Sequence, residues 1–167
     1  MRRTLNTLTF VYTHTPIPFI RWPFKNRSVT FPYFICIAKA FWDGKDLSLT
    51  PQTAALLMHE LTHALQARHI GRLVWYFKYL TNSSFRSEQE IQAEAVEAAT
   101  RAAIRNRTEP TLADVSHRLK SSTYWLRKKD TNQITERVLA RAKAIYLPVL
   151  RIAQGRGLSP DLHALIN

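Results

Sequence analysis

The stretch LLMHELTHALQARH, from Leu56 to His69, constrains this chain more than any other. It sets His59 and His63 four residues apart, with Glu60 directly after the first. On a helix, residues i and i+4 stand one above the other on the same face. Both imidazoles can then point at one ion, while Glu60 lies beside it without being a ligand. That is the mechanical content of H-E-x-x-H: two imidazoles hold zinc and the glutamate activates a water. Leu56, Leu57, Leu61, Ala64 and Leu65 make the rest of the segment apolar, so the helix is expected in the domain centre. Buried histidines need partners. The plainer alternative is a core helix whose two histidines only hydrogen-bond to neighbours.

A catalytic zinc takes three protein ligands and a water, and two residues compete for the third place. His69 completes the spacing used by metzincins. That pattern needs a glycine three residues after the second histidine, where this chain has Gln66, and a methionine turn downstream, whereas the only methionines are Met1 and Met58. In an unbroken helix His69 points about 120° away from the metal-facing side. It reads as a helix-end residue favourable to the dipole. The other candidate lies in SEQEIQAEAVEAATRAAIRNR, a helix expected to begin at Ser87. Glu90, Glu94 and Glu97 recur there at i, i+4 and i+7, in a chain with seven glutamates. One carboxylate could reach the zinc and another could hold a ligand histidine from behind. Against this, Ser87-x-x-Glu90 is a capping box, and the remaining glutamates could be solvated or paired with arginines.

HELTH followed by EIQAE resembles the gluzincin zinc peptidases, whose further motif is E-x-x-x-D, often E-x-x-A-D. Glu90 falls on the ligand glutamate, Ala93 on the small residue and Glu94 on the acid that supports a ligand. Glu94 departs from the usual Asp. The resemblance covers roughly residues 30–105 and suits the small, single-domain members. It implies Zn2+ held by His59, His63 and Glu90, with Glu94 outside that set. It also implies Glu60 as general base in peptide-bond hydrolysis, and a peptide or protein substrate bound as an extra strand on a sheet edge, here Tyr33–Phe41. An oxyanion stabiliser would come from Tyr76, Tyr79, Arg86, His117 or Tyr124.

Around this centre the expected fold is α+β and zincin-like, one domain over 1–167. Residues 1–50 are β-rich: TLTFVYTH and SVTFPYFICIAKAFW carry Thr, Val, Phe, Tyr and Ile, and prolines 16, 18, 23 and 32 break any helix. Asp43-Gly44 predicts a hairpin joining Tyr33–Phe41 to Lys45–Leu49. Residues 51–107 hold the active-site helix, from Thr50-Pro51 to about Arg68, then the short aromatic helix RLVWYFKYL and the glutamate helix. Residues 108–167 add basic helices, about Leu112–Lys128 and Asn132–Ile152, the latter kinked at Pro148. WYFKYL reads as core, with a substrate wall or membrane-interface segment as alternatives. Cys36 reads as a small buried hydrophobe.

Lys and Arg exceed Asp and Glu by 24 to 12, a net charge of +12. Such a field favours nucleic acid, anionic lipid or a cell-wall surface. Arg118, Lys120, Arg127, Lys128, Lys129, Arg137, Arg141 and Lys143, on the C-terminal helices, are the candidate patch. A basic nucleic-acid- or assembly-binding protein on a zincin-like scaffold, its site inactive or structural, is therefore the competing expectation. One cysteine excludes an internal disulfide, and no apolar run approaches the roughly 20 residues of a membrane span. MRRTLNTLTFVYTHTP has too short an apolar part for a signal peptide. A cytoplasmic or virion/assembly-associated location is expected.

Overall fold

A computed structural model of the chain describes residues 2–5, 8–12, 29–30, 34–37, 51–115 and 131–154. Five helices build its body: α1 (Pro51–Ile70), α2 (Arg72–Thr81), α3 (Ser83–Ile104), α4 (Thr131–Ala144) and α5 (Tyr146–Ala153). Pro51 opens α1, where its missing N–H has no intrahelical partner to lose. Gly71 ends α1 with φ +98°, a region side chains rarely adopt. A Cβ there would meet nothing within 4 Å, so the backbone conformation and not space calls for glycine. Asn82 then separates α2 from α3, its side chain accepting from Phe85 N at 2.9 Å. This cap starts α3 at Ser83, one turn before the expected Ser87. Ser87 is inside the helix, and Glu90 lies two turns along it rather than in a capping box.

α3 is the central element, packed against α1, α2, α4 and α5. Ala93, Ala95, Ala98, Ala99 and Ala102 are fully buried along it, and such small side chains let neighbouring helices approach closely. Its apolar side, with Ile91 and Val96, meets Ile134, Val138, Ala142, Ile145, Tyr146 and Val149 of the last two helices. Its polar side, with Glu90, Glu94 and Glu97, is buried too. The helix expected over Asn132–Ile152 breaks at Ile145, because Pro148 has no N–H to donate to the carbonyl of Ala144. Pro148 instead occupies the first turn of α5, where it is tolerated.

Leu112 to Val115, expected to open a helix, forms a turn around Asp114, and residues 116–130 lie outside the described residues. Asp114 is fully buried and accepts from Thr111 N, Thr111 Oγ1, Arg105 Nη1 and Arg107 Nη1 at 2.9–3.0 Å. Asp114→Ala is expected to destabilise the fold by about 2–4 kcal/mol, since it removes charged hydrogen bonds to groups that stay partly buried. Urea denaturation measures this, and an unchanged midpoint would contradict it.

The α+β class expected from the sequence does not hold. Residues 51–115 and 131–154 contain helices and no strand, and every described core residue lies on a helix or in the 105–115 turn. This body is all-helical. Before it, the backbone forms only short strands: β1 (Arg2–Leu5), β2 (Leu8–Tyr12), β3 (Val29–Thr30) and β4 (Phe34–Ile37), in the order β1-β2-β4-β3. β4 pairs with β2 along its length and with β3 at Ile35 and Cys36, and the rest of the expected edge, Tyr33 and residues 38–41, lies outside the described residues. The Asp43-Gly44 hairpin lies outside the described residues. Prolines keep the β-forming stretches short, whereas the alanine-rich α3 can be surrounded by helices, and the core among the described residues is helical.

Candidate metal centre

α1 and α3 run side by side and bring His59 and His63 of the first against Glu90 of the second. The three are 3%, 5% and 3% exposed. His59 Nε2 lies 3.2 Å from His63 Nε2 and 3.6 Å from Glu90 Oε2, and His63 Nε2 lies 3.4 Å from Glu90 Oε1. Four ligands at about 2.0–2.2 Å around a tetrahedral zinc stand roughly 3.3–3.6 Å apart. The two Nε2 atoms, and each of them and the Glu90 oxygen facing it, stand close to that spacing.

The protons are arranged to match. Gln66 Nε2 donates to Gln89 O at 3.1 Å and to Gln92 Oε1 at 2.8 Å, which leaves Gln66 Oε1 as the acceptor facing His63 Nδ1 at 2.9 Å. The His63 proton therefore sits on Nδ1, and its Nε2 lone pair faces the centre. His59 Nδ1 faces carboxylates: Glu97 Oε2 at 3.1 Å and Glu94 Oε1 at 3.8 Å. These favour the proton on Nδ1 and the lone pair on Nε2. Two imidazole Nε2 atoms and a carboxylate thus meet, and Glu90 Oε2 has no hydrogen-bond partner. Such a point attracts a cation.

α2 closes one side. Trp75 is 2% exposed, stacks on Tyr79 at 4.7 Å between ring centroids, and donates from Nε1 to Gln89 Oε1 at 2.9 Å. The Tyr79 hydroxyl donates to Glu90 Oε1. Arg86 Nη1 donates to Tyr79 O at 2.9 Å. WYFKYL is therefore split: Trp75 and Tyr79 face the centre, while Leu73, Val74, Phe77 and Leu80 are at least half exposed. Of the other oxyanion candidates, Tyr76 is half-buried, and His117 and Tyr124 lie outside the described residues. Glu60 is 4% exposed and belongs to neither cluster of metal-competent donors. His69 is exposed near the end of the unbroken α1 and takes no part in those clusters.

Electrostatics makes the same demand for positive charge. Burial by itself would lower the His59 pKa, but the carboxylates of Glu90, Glu97 and Glu94 hold it well above the ordinary 6.5. Burial would likewise raise Glu90, yet His63 and His59 hold it far below the ordinary 4.5. A proton on His59 supplies that charge, and a metal ion at Nε2 would have to displace it. A raised histidine pKa stabilises the fold below about 6.5, and this is lost as pH rises through the folded-state value. A lowered carboxylate pKa stabilises above about 4.5, and this is lost as pH falls toward the folded-state value. Denaturation midpoints of metal-free protein should therefore fall on both the acid and the alkaline flank, and zinc should remove the alkaline loss. A flat profile between about pH 2 and 9 would contradict the assignment.

Three of the C-terminal cations expected to form a basic patch lie among the described residues. Arg137 Nη2 pairs with both oxygens of Glu88 at 2.8 Å, and Lys143 pairs with Glu109 at 3.2 Å. Arg141 is half-buried, and Arg118, Lys120, Arg127, Lys128 and Lys129 fall outside the described residues. Sequence reasoning saw the glutamate stripe but missed the parts played by Gln66, Gln89, Trp75 and Tyr79. Gln66, at the position where a metzincin glycine would stand, carried the one available signal: a polar residue one turn after a buried histidine. No family model, curated protein or solved structure matches this chain.

Proposed function

We propose that this chain is a small zinc-dependent peptidase, with His59, His63 and Glu90 as metal ligands and Glu60 as general base. The observation that carries the reading is the meeting of His59 Nε2, His63 Nε2 and the Glu90 carboxylate, the two Nε2 atoms lying 3.2 Å apart and 3.6 and 3.4 Å from Glu90 Oε2 and Oε1 respectively. Three protein donors leave one tetrahedral position for water, as in catalytic rather than structural zinc sites. Bound there, zinc would supply Lewis acidity toward a scissile carbonyl and the attacking water. Glu60, next to His59 on α1, would take a proton from that water and return it to the leaving amine. Tyr79 would hold Glu90 in place through its hydroxyl, and Gln66 would hold His63 through Nδ1. The substrate class that fits is a peptide or protein.

The burial of the centre favours a second reading, a closed ion that ties α1 to α3 without chemistry. One experiment separates the two. Protein stripped with a chelator is reloaded with one equivalent of zinc and assayed on quenched fluorescent peptides. Zinc-dependent hydrolysis supports the peptidase. Tight zinc binding with a higher melting temperature and no hydrolysis supports the structural ion. Absence of zinc binding ends both. Among the described residues no helix is long and apolar enough to cross a membrane.

A further inference from the structure

We infer that Glu97, anchored by Arg101, is the residue that positions His59 for metal binding, in place of the Glu94 that the motif alone would select; this rests on the metal reading above. Both carboxylates are fully buried on α3, and both face the same imidazole nitrogen. Nδ1 carries one hydrogen, so it can serve only one of them well. Glu97 Oε2 stands at 3.1 Å, within hydrogen-bond reach, and Glu94 Oε1 at 3.8 Å, beyond it. The N–H is not yet aligned with Glu97, and His59 Nδ1 makes no hydrogen bond. Because the distance is already correct, alignment needs a rotation of ring or carboxylate and no translation.

Glu97 also has a fixed base. Its other oxygen, Oε1, accepts from Arg101 Nη2 at 2.5 Å, one helical turn further along α3. Arg101 in turn reaches the carbonyl of Asp114 at 3.5 Å, in the turn that caps this end of the body. The chain Arg101–Glu97–His59 thus runs from a side chain 23% exposed to a metal-facing Nε2. A carboxylate on Nδ1 fixes the tautomer and makes Nε2 a stronger donor to a metal. An arginine behind that carboxylate stops it from turning away. The turn between Glu94 and Glu97 brings Glu97 within 3.1 Å of the ring nitrogen and leaves the motif acid at 3.8 Å.

Zinc affinity is the readout, measured by competition with a chromophoric chelator on the full-length protein. Glu97→Ala is expected to weaken zinc by about 10- to 100-fold, and Glu94→Ala by clearly less. Glu97→Gln keeps an acceptor but not the charge, so it should fall between wild type and Glu97→Ala. Arg101→Met, at a partly exposed position that leaves the buried carboxylate in place, should weaken zinc in the same direction. The visible spectrum of the cobalt-substituted protein should shift in the Glu97 variants, which a merely structural glutamate would not cause. If Glu97→Ala fails to fold, Arg101→Met and Glu97→Gln decide the matter. Wild-type zinc affinity in all Glu97 and Arg101 variants, or a larger loss in Glu94→Ala, overturns the inference and leaves the metal site standing. Wild-type protein that binds no zinc overturns the metal reading itself.

Discussion

Glu90→Ala is expected to cost roughly two to three powers of ten in zinc affinity, whereas His69→Ala should leave affinity within about twofold. A fully protein-bound zinc site is worth roughly 10–16 kcal/mol, so losing one ligand of a small set removes about 3–4 kcal/mol. The two substitutions test different statements. Glu90 places its carboxylate 3.4 and 3.6 Å from the two Nε2 atoms, and one of its oxygens has no hydrogen-bond partner. His69 is exposed on a helix that continues past it, and no turn brings it back. Equilibrium dialysis of the two variants gives the comparison directly. Equal losses would remove Glu90 from the ligand set, and a loss confined to His69→Ala would require a different class of site. Removing Glu90 also leaves the Tyr79 hydroxyl without that acceptor. A melt of the metal-free variant is therefore needed alongside, so that lost stability is not counted as lost affinity.

Glu60→Gln should keep zinc and fold while lowering peptide hydrolysis by about two to four powers of ten. General acid–base catalysis by a positioned side chain contributes that much, and the amide cannot accept the proton. Glu60 is buried beside His59 but outside both groups of metal-competent donors, so the proposed ion would be held without its charge. That separation makes the test sharp. A variant that loses zinc would make Glu60 part of the metal set. A variant that keeps both zinc and full hydrolysis would remove it as base.

The local chemistry of the centre was legible in the order of residues alone. Two histidines four apart on an apolar helix must share a face, and a glutamate stripe at i, i+4 and i+7 on an alanine-rich helix must share another. Exclusion of His69 followed from Gln66 standing where a helix-breaking glycine would be needed. Helical spacing alone did not say which glutamate does which job, and only the resemblance set Glu90 as ligand and Glu94 behind it. Glu90, Glu94 and Glu97 are alike in type and face, and they differ only in where α1 crosses α3. Expectation also placed the start of α3 a turn late, because Ser87-x-x-Glu90 is a good capping box in isolation. Asn82 caps first, and a cap that acts earlier leaves the later one inside the helix.

Fold class shows the same division. Proline spacing and β-forming residues before position 51 are real local signals, and they produce strands of two to five residues. They say nothing about what fills the core, which depends on long-range packing. Buried alanines on α3 let α1, α4 and α5 close around it, and the body became helical. By itself, then, the sequence determined the helix that carries His59 and His63, the acidic face that answers it and the exclusion of His69. Each is a property of residues one or two turns apart. The spacing of the three donors, the hold of Gln66 and Tyr79, and the helical core were decided only in the tertiary structure. They depend on how far apart two helices settle, and that distance is set by side chains remote in sequence.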